Sequence, residues 1–136
     1  MKRVGFIGLG DMGLAMALNL IKGGFQVCGF DLRQERLDLL EEAGGQAATS
    51  PSNAGKDADA VFIMVMTGKQ AWEVVCGEDG LLQTMKPGST MILSATIKPS
   101  EARDLAGPVS EAGVQMIDSP VSGGKGGADN GTLTLM

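Results

Sequence analysis

Residues 4–13 read VGFIGLGDMG, and this stretch decides the fold. A short apolar run typical of a buried strand leads into Gly8, Gly10 and Gly13, after which apolar residues recur at helical spacing to position 22. In a strand, turn and helix of this kind, the first glycine permits the tight turn. The second lets a diphosphate approach the backbone, and the third lets the helix pack closely on the strand. The stretch therefore predicts a βαβ unit that binds a dinucleotide.

An acidic residue stands at the end of the second predicted strand, where a dinucleotide-binding unit needs one for the ribose. Residues 25–30 predict a second strand, and Asp31 closes it 18 residues after Gly13. A carboxylate there can accept hydrogen bonds from ribose hydroxyls. It disfavours a 2′-phosphate, whereas Arg33 could accept one, so the sequence favours NAD and leaves NADP possible. In the alternative interpretation, the glycines only form turns and Asp31 only ends a strand.

Strands and helices alternate along most of the chain. Strands are predicted at 4–9, 25–30, 58–66, 90–93 and 114–117, and helices at 11–22, 33–43, 69–75, 81–85 and 100–112. Ser50 and Pro51 predict the start of a further short helix, and Leu37, Leu39 and Leu40 the buried side of the helix at 33–43. This order predicts an α/β fold: a Rossmann-type, doubly wound, mostly parallel sheet with helices on both faces, in one domain over residues 1–136.

The C-terminal end departs from this alternation. The segment 132–136 predicts a last strand that is incomplete and has no partner. An unpaired edge and an uncovered apolar sheet face promote pairing with other chains. We therefore expect self-association.

Composition removes several function classes. The chain has 136 residues, 11 Lys and Arg against 16 Asp and Glu, and no His. An acidic chain is a poor partner for nucleic acid, and the lack of His excludes a Ser-His-Asp triad and a His-ligated metal within this chain. Two Cys are too few for a disulfide framework, and no apolar run reaches membrane-spanning length. We expect a cytoplasmic protein with no metal cofactor and no membrane partner.

Three segments resemble one family. Residues 6–20 (FIGLGDMGLAMALNL) are similar to the N-terminal signature of the β-hydroxyacid dehydrogenases, which include 3-hydroxyisobutyrate, tartronate semialdehyde and L-threonate dehydrogenases. Residues 118–124 (DSPVSGG) resemble the family's substrate-binding loop, and residues 95–99 (ATIKP) its Ser-Thr-(Ile/Val)-x-Pro segment. The resemblance implies the NAD-binding domain of an enzyme that transfers a hydride between nicotinamide and a small 3-hydroxy acid.

The resemblance also implies the site residues. Those for the cofactor are Gly8, Leu9, Gly10, Asp11, Met12, Gly13, Asp31, Leu32, Arg33, Met64, Val65, Met66 and Thr96. Those for the substrate carboxylate are Ser122, Gly123 and Gly124. Consecutive glycines can present backbone N–H groups to an anion, and a serine hydroxyl adds a donor, although the same residues would also suit a flexible hairpin connection.

The departures from the family pattern bear on activity. Ala95 stands where serine is usual, and Met66-Thr67 where proline is common. In the family, a lysine on a helix after this domain serves as the general acid/base, so this chain is expected to hold no catalytic residue and to be inactive alone. The alternative is a stand-alone dinucleotide-binding sensor or interaction module without catalysis.

Overall fold

The computed structural model describes residues 3–94, 97–118, 121–122 and 134–135. The strands are β1 (Arg3–Ile7), β2 (Gln26–Phe30), β3 (Gln46–Ala47), β4 (Ala60–Ile63), β5 (Thr90–Leu93), β6 (Gln115–Asp118), β7 (Val121–Ser122) and β8 (Thr134–Leu135). The helices are α1 (Asp11–Lys22), α2 (Gln34–Glu42), α3 (Pro51–Gly55), α4 (Gly68–Cys76) and α5 (Pro99–Glu111), with a 3₁₀ helix at Leu81–Gln83.

Six strands form one parallel sheet in the order β3-β2-β1-β4-β5-β6. The chain winds outward from β1 to β3 and then returns to the other side of β1 with β4. The order therefore reverses between β1 and β4, and ligands of open α/β sheets bind beyond the carboxyl ends of the strands at such a point. The predicted Rossmann-type fold is confirmed.

The sheet has a hydrophobic core on each face. On one face, Phe6 and Val27 pack with the buried residues of α1 and α2, including Leu14 and Leu40. On the other face, side chains of β1, β4 and β5 pack with α3, α4, α5 and the 3₁₀ helix. Because side chains alternate across a strand, a parallel sheet covered on both faces needs continuous apolar runs, as the sequence indicates.

One row of side chains crosses the α1 face from β1 to β6: Phe6, Phe62, Ile92 and Ile117, which are register partners. Phe6 is fully buried and its ring stacks on that of Phe62, with centroids 5.3 Å apart. Ile117, at the far end, is 50% exposed. Cover on this face therefore decreases towards β6 in the part of the chain that the structure describes.

Side-chain caps determine where α3 and α4 begin. Ser50 caps α3 by accepting a hydrogen bond from the Asn53 amide at 3.1 Å, with Pro51 in the first turn, as predicted. Thr67 and Gln70 form a reciprocal capping box on α4: the Thr67 hydroxyl accepts from the Gln70 amide, and Gln70 Oε1 accepts from the Thr67 amide. These caps fix the start of α3 after β3 and the start of α4 after β4.

Several boundaries differ from prediction. The strand predicted at 58–66 is β4, only Ala60–Ile63, because its neighbour β1 ends at Ile7 and turns away at Gly8. Residues 81–85 contain a 3₁₀ helix at Leu81–Gln83, and Leu39 is exposed and does not join the buried side of α2. The short edge strand β3 was not predicted.

The last predicted strand has a partner. Thr134–Leu135 pairs antiparallel with Val121–Ser122, with Val121 opposite Leu135 and Ser122 opposite Thr134. The expectation of a strand without a partner at 132–136 is therefore wrong in this respect. It failed because a two-residue strand next to proline and glycine carries too little pattern to be predicted from sequence.

Candidate functional site

The turn after β1 is built from backbone contacts that only glycine allows at two positions. Gly8 has φ of +96°, a conformation that side chains disfavour, and a Cβ there would overlap the carbonyl of Met64. A Cβ at Gly13 would overlap the Gly8 carbonyl oxygen. The first and third glycines of the motif therefore bring the end of β1, the end of β4 and the first turn of α1 into direct contact.

The middle glycine has a different environment. Gly10 is the N-cap of α1, its φ of −66° is ordinary, and among the described residues a Cβ there would meet only the Arg33 Nη2, at 3.9 Å. The described part of the chain thus leaves the space above the start of α1 open. Gly10 has no side chain that could accept hydrogen bonds from the first amides of the helix. These amides therefore face this space and carry a partial positive charge. The cradle suits the diphosphate of a dinucleotide.

Asp31 is joined to this turn. The Leu9 amide donates a hydrogen bond to Asp31 Oδ2 at 2.8 Å, and the Gly8 amide donates to the Phe30 carbonyl at 2.9 Å. The Asp31 side chain is only 8% exposed. The sequence prediction that the acid after β2 lies beside the glycine turn is therefore met by the geometry.

Arg33 donates three hydrogen bonds to the same carboxylate. Its amide and its Nε donate to Asp31 Oδ1 at 2.9 and 3.0 Å, and its Nη2 donates to Oδ2 at 3.2 Å. Burial disfavours the ionised form, but the Arg33 side chain and the amides of Leu9 and Arg33 outweigh this and lower the pKa of Asp31. Asp31 is therefore a carboxylate at neutral pH.

A second arginine lies at the start of α1. Arg36, in the first turn of α2, places Nη2 3.3 Å from Asp11 Oδ1. Its Nε is buried and has no hydrogen-bond partner among the residues that the structure describes. Asp11 and Met12, both predicted as cofactor-binding, lie in the first turn of α1, where the Arg36 guanidinium contacts Asp11.

Two apolar side chains stand exposed at the strand ends that flank β1. Leu32, after β2, is 90% exposed, and Met66, after β4, is 86% exposed. Met64 and Val65 instead pack against the two cores, and the Met64 amide donates to the Ile7 carbonyl at 2.7 Å. Within the predicted segment 64–66, Met64 and Val65 are partly buried and Met66 is exposed.

The remaining predicted residues fall mostly outside the described residues. Thr96, Gly123 and Gly124 lie in that undescribed part, and Ser122 is described only as part of the backbone of β7. Their predicted roles stay predictions.

Sequence reasoning missed two residues near the site. Gln70 Oε1 accepts the Met66 amide at 2.8 Å and the Thr67 amide at 3.2 Å, so it fixes the segment that follows β4. Its position three residues after Thr67 is the capping-box spacing, which could have identified it. Ser94, after β5, is 3% exposed, and its hydroxyl has no partner among the described residues. No sequence signal identifies it.

Comparison with known proteins identifies the family. The family described as the NAD binding domain of 6-phosphogluconate dehydrogenase matches residues 3–136. This chain belongs to that family. Proteins similar to it include a probable mitochondrial 3-hydroxyisobutyrate dehydrogenase of Dictyostelium discoideum, 44% identical over 99% of the chain, and an NAD-dependent L-serine dehydrogenase of Pseudomonas aeruginosa, 43% identical over all of it. The resemblance to β-hydroxyacid dehydrogenases is confirmed.

A solved structure agrees in fold. The crystal structure of 3-hydroxyisobutyrate dehydrogenase from Salmonella typhimurium superposes with a TM-score of 0.94 at 34% identity over the whole chain. The chain spans 47% of that protein, and 42% and 46% of the two relatives. It therefore corresponds to less than half of each.

Two further features are absent from the part of the chain that the structure describes. None of the helices in the described segments is long and apolar enough to cross a membrane. No three Cys, Asp or Glu side chains of the described segments are grouped as a metal site would require.

Proposed function

We propose that this chain is the cofactor-binding half of a nicotinamide-dependent oxidoreductase acting on a small 3-hydroxy acid. The observation that carries the proposal is the 2.8 Å hydrogen bond from the Leu9 amide to Asp31, which holds a buried carboxylate against an open glycine turn. Family membership supports the cofactor class. The named substrates of two relatives, 3-hydroxyisobutyrate and L-serine, share a carboxylate and a hydroxyl on carbon 3.

The diphosphate and the adenosine side of a dinucleotide have groups of matching chemistry on this chain. The amides at the start of α1, beginning at Gly10, would hold the diphosphate, and Asp31 would accept the adenosine ribose hydroxyls. Leu32 and Met66 offer exposed apolar surface to the base. When bound, the nicotinamide supplies the hydride donor or acceptor. The cofactor is proposed to be NAD, with NADP possible.

The substrate side rests on the resemblance. Ser122, Gly123 and Gly124 are proposed to hold the substrate carboxylate, and Thr96 to lie near the cofactor. The general acid/base lysine is expected beyond residue 136, so the 136-residue chain should bind cofactor but turn over negligibly. Substantial dehydrogenase activity from this chain alone would contradict this division of roles.

The test is calorimetric titration of NADH and NADPH into the protein and into Asp31→Ala. Loss of the carboxylate should weaken NADH at least roughly ten-fold, because the hydroxyl contacts and the anchor of the Leu9 amide are lost together. NADPH should lose less. Asp38→Ala, which removes an exposed carboxylate of α2 bonded to Gln34, should change neither affinity. Equal NADH binding by Asp31→Ala would contradict the proposal.

A cytoplasmic location is also proposed, because the two free cysteines, Cys28 and Cys76, suit a reducing compartment. The D. discoideum relative is described as mitochondrial, so location varies within the family. Fractionation of cells that express the native gene would decide between the two.

A further inference from the structure

A polar cleft lies beside the amino ends of β1 and β3, at the end of the sheet opposite to the glycine turn. Its volume is about 370 Å³, which falls within the roughly 300–1,000 Å³ of small-molecule sites. Its lining includes Arg3 of β1, Gln46 of β3, Asn53 of α3 and Lys56, the C-cap of α3. Gly8 comes five positions after Arg3 along β1, so the cleft is roughly 16 Å from the proposed diphosphate site.

The packing of α3 on the sheet places a thiol beside this cleft. A Cβ on Gly5 would lie 2.7 Å from the Ala54 carbonyl oxygen, so the end of α3 rests directly on β1. Cys28, the register partner of Gly5 on β2, is partly buried and lines the cleft. The thiol of Cys28 therefore reports on what enters the cleft.

The lining of the cleft is positively charged. Among the described residues, none of the ion pairs includes Arg3 or Lys56. Glu41, near the end of α2, is the carboxylate of the described lining, and it pairs with neither cation. Two cations against one carboxylate give a net charge of +1 in a chain whose net charge is −5. The cleft therefore favours an anion.

The charge of Arg3 acts on the floor of the cleft. Burial raises the pKa of the Cys28 thiol, and the Arg3 guanidinium opposes that rise. Burial also raises the pKa of Cys76, which is partly buried as well, but there no cation opposes it. Cys76 is therefore a matched control for the environment of Cys28.

The donors of the cleft suit a phosphate group. A guanidinium presents a planar fork that matches two phosphate oxygens, and a lysine on another element adds a point charge. The Asn53 carboxamide oxygen accepts the Thr49 amide at 3.1 Å, which leaves the N–H groups of Asn53 for a further acceptor. The Gln46 carboxamide adds donors of the same kind. A tetrahedral dianion offers enough oxygens for all of them.

We propose that this cleft binds the phosphate group of a small molecule. Arg3 and Lys56 hold the phosphate, and the carboxamides of Gln46 and Asn53 donate to its oxygens. Glu41 lowers the affinity for anions and opposes ligands of higher charge. The site lies at the other end of the sheet from the dinucleotide turn, so the proposal goes beyond the proposed function and its test needs no nucleotide.

Amide NMR of the ¹⁵N-labelled protein tests the proposal with three anions at equal ionic strength: glycerol 3-phosphate, inorganic phosphate and acetate. Both phosphates should shift the amides of residues 28, 46 and 53–56 saturably, and acetate, with a single charge, should not. Tighter binding of glycerol 3-phosphate would identify an organic ester as the ligand, and equal binding the free ion. No saturable shift with either phosphate would overturn the proposal.

Charge variants test which side chains hold the phosphate. Arg3→Gln and Lys56→Gln should each weaken phosphate binding roughly ten-fold, the loss of one charged contact. Glu41→Gln should strengthen it, a gain that a loss of folding could not produce. Arg103→Gln removes an exposed cation of α5 and is the matched control for net charge, so it should change nothing. Unchanged binding by both Arg3→Gln and Lys56→Gln would overturn the proposal.

The reaction of Cys28 with dithiobis(nitrobenzoate), a dianionic disulfide, gives a second readout. In Cys76→Ser protein, saturating glycerol 3-phosphate should slow this reaction about ten-fold, the lower end of the effect of a charged cleft on association rates. In Cys28→Ser protein, the reaction of Cys76 should keep its rate. Equal slowing of the two thiols, or no slowing at Cys28, would contradict a phosphate bound in this cleft.

Discussion

Replacing Gly10 and Gly13 by the same residue should separate binding from folding. Gly10→Ser places a side chain in open space at an N-cap with ordinary backbone angles. Serine is a better N-cap than glycine by roughly a few tenths of a kcal/mol, so stability should be unchanged or slightly higher. Gly13→Ser forces a Cβ onto the Gly8 carbonyl oxygen, and such overpacking costs about 1–3 kcal/mol or more.

The loss of NADH affinity should be larger for the substitution at Gly10. In Gly10→Ser, the introduced hydroxyl would accept the amides of Met12 or Gly13 that the diphosphate needs, and the added Cβ would occupy the space of the diphosphate. Loss of one charge-assisted hydrogen bond costs about 1.5–3 kcal/mol, which is roughly ten- to one-hundred-fold in affinity.

Thermal unfolding and NADH calorimetry on both variants test this reasoning. We expect Gly10→Ser to unfold at or above the temperature of the unmodified protein while losing NADH affinity. We expect Gly13→Ser to unfold at a lower temperature. NADH binding of normal strength by a folded Gly10→Ser protein would refute the assignment of the diphosphate to this turn.

Three further predictions follow from the site and the sheet. Because the pKa of Asp31 is lowered, NADH affinity should be constant from about pH 5 to 8 and should fall only in stronger acid. In Arg33→Ala that fall should begin at a higher pH, and NADH titrations at a series of pH values would measure it. Ser94→Ala removes a buried hydroxyl without a described partner and should raise the free energy of unfolding by about 1 kcal/mol in denaturant titrations; a decrease would show that the hydroxyl is paired. Ile117→Lys places a charge at the half-exposed end of the described row of side chains on the α1 face, so it should reduce the expected self-association in sedimentation. An unmodified protein that stays monomeric at high concentration would contradict that expectation.

The fold was largely predictable because its signals are local. The glycine motif, the continuous apolar runs and the cap at Ser50 each follow from backbone chemistry within a few residues. Burial within a helix was less predictable: Leu39 lies between Leu37 and Leu40 in an apolar pattern, yet the 3.6-residue period turns it to solvent. Strand ends were predicted wrongly where a neighbouring strand decides them, as at the end of β4.

The position of Asp31 was predictable, but its contacts were not. Spacing alone placed Asp31 beside the glycine turn. It could not show that the Arg33 side chain donates two hydrogen bonds to that carboxylate or that Gln70 accepts the Met66 amide, because both depend on side-chain geometry. The buried hydroxyl of Ser94 depends on the packing of distant segments and leaves no mark in the sequence.

The most direct test of the central claim is a titration of NADH into ¹⁵N-labelled protein, followed by amide NMR. A dinucleotide held by the glycine turn and Asp31 should shift the amides of residues 9–13 and 31–33 together and saturably. No shift at saturating NADH, or shifts confined to the opposite end of the sheet around Gln46 and Lys56, would contradict it.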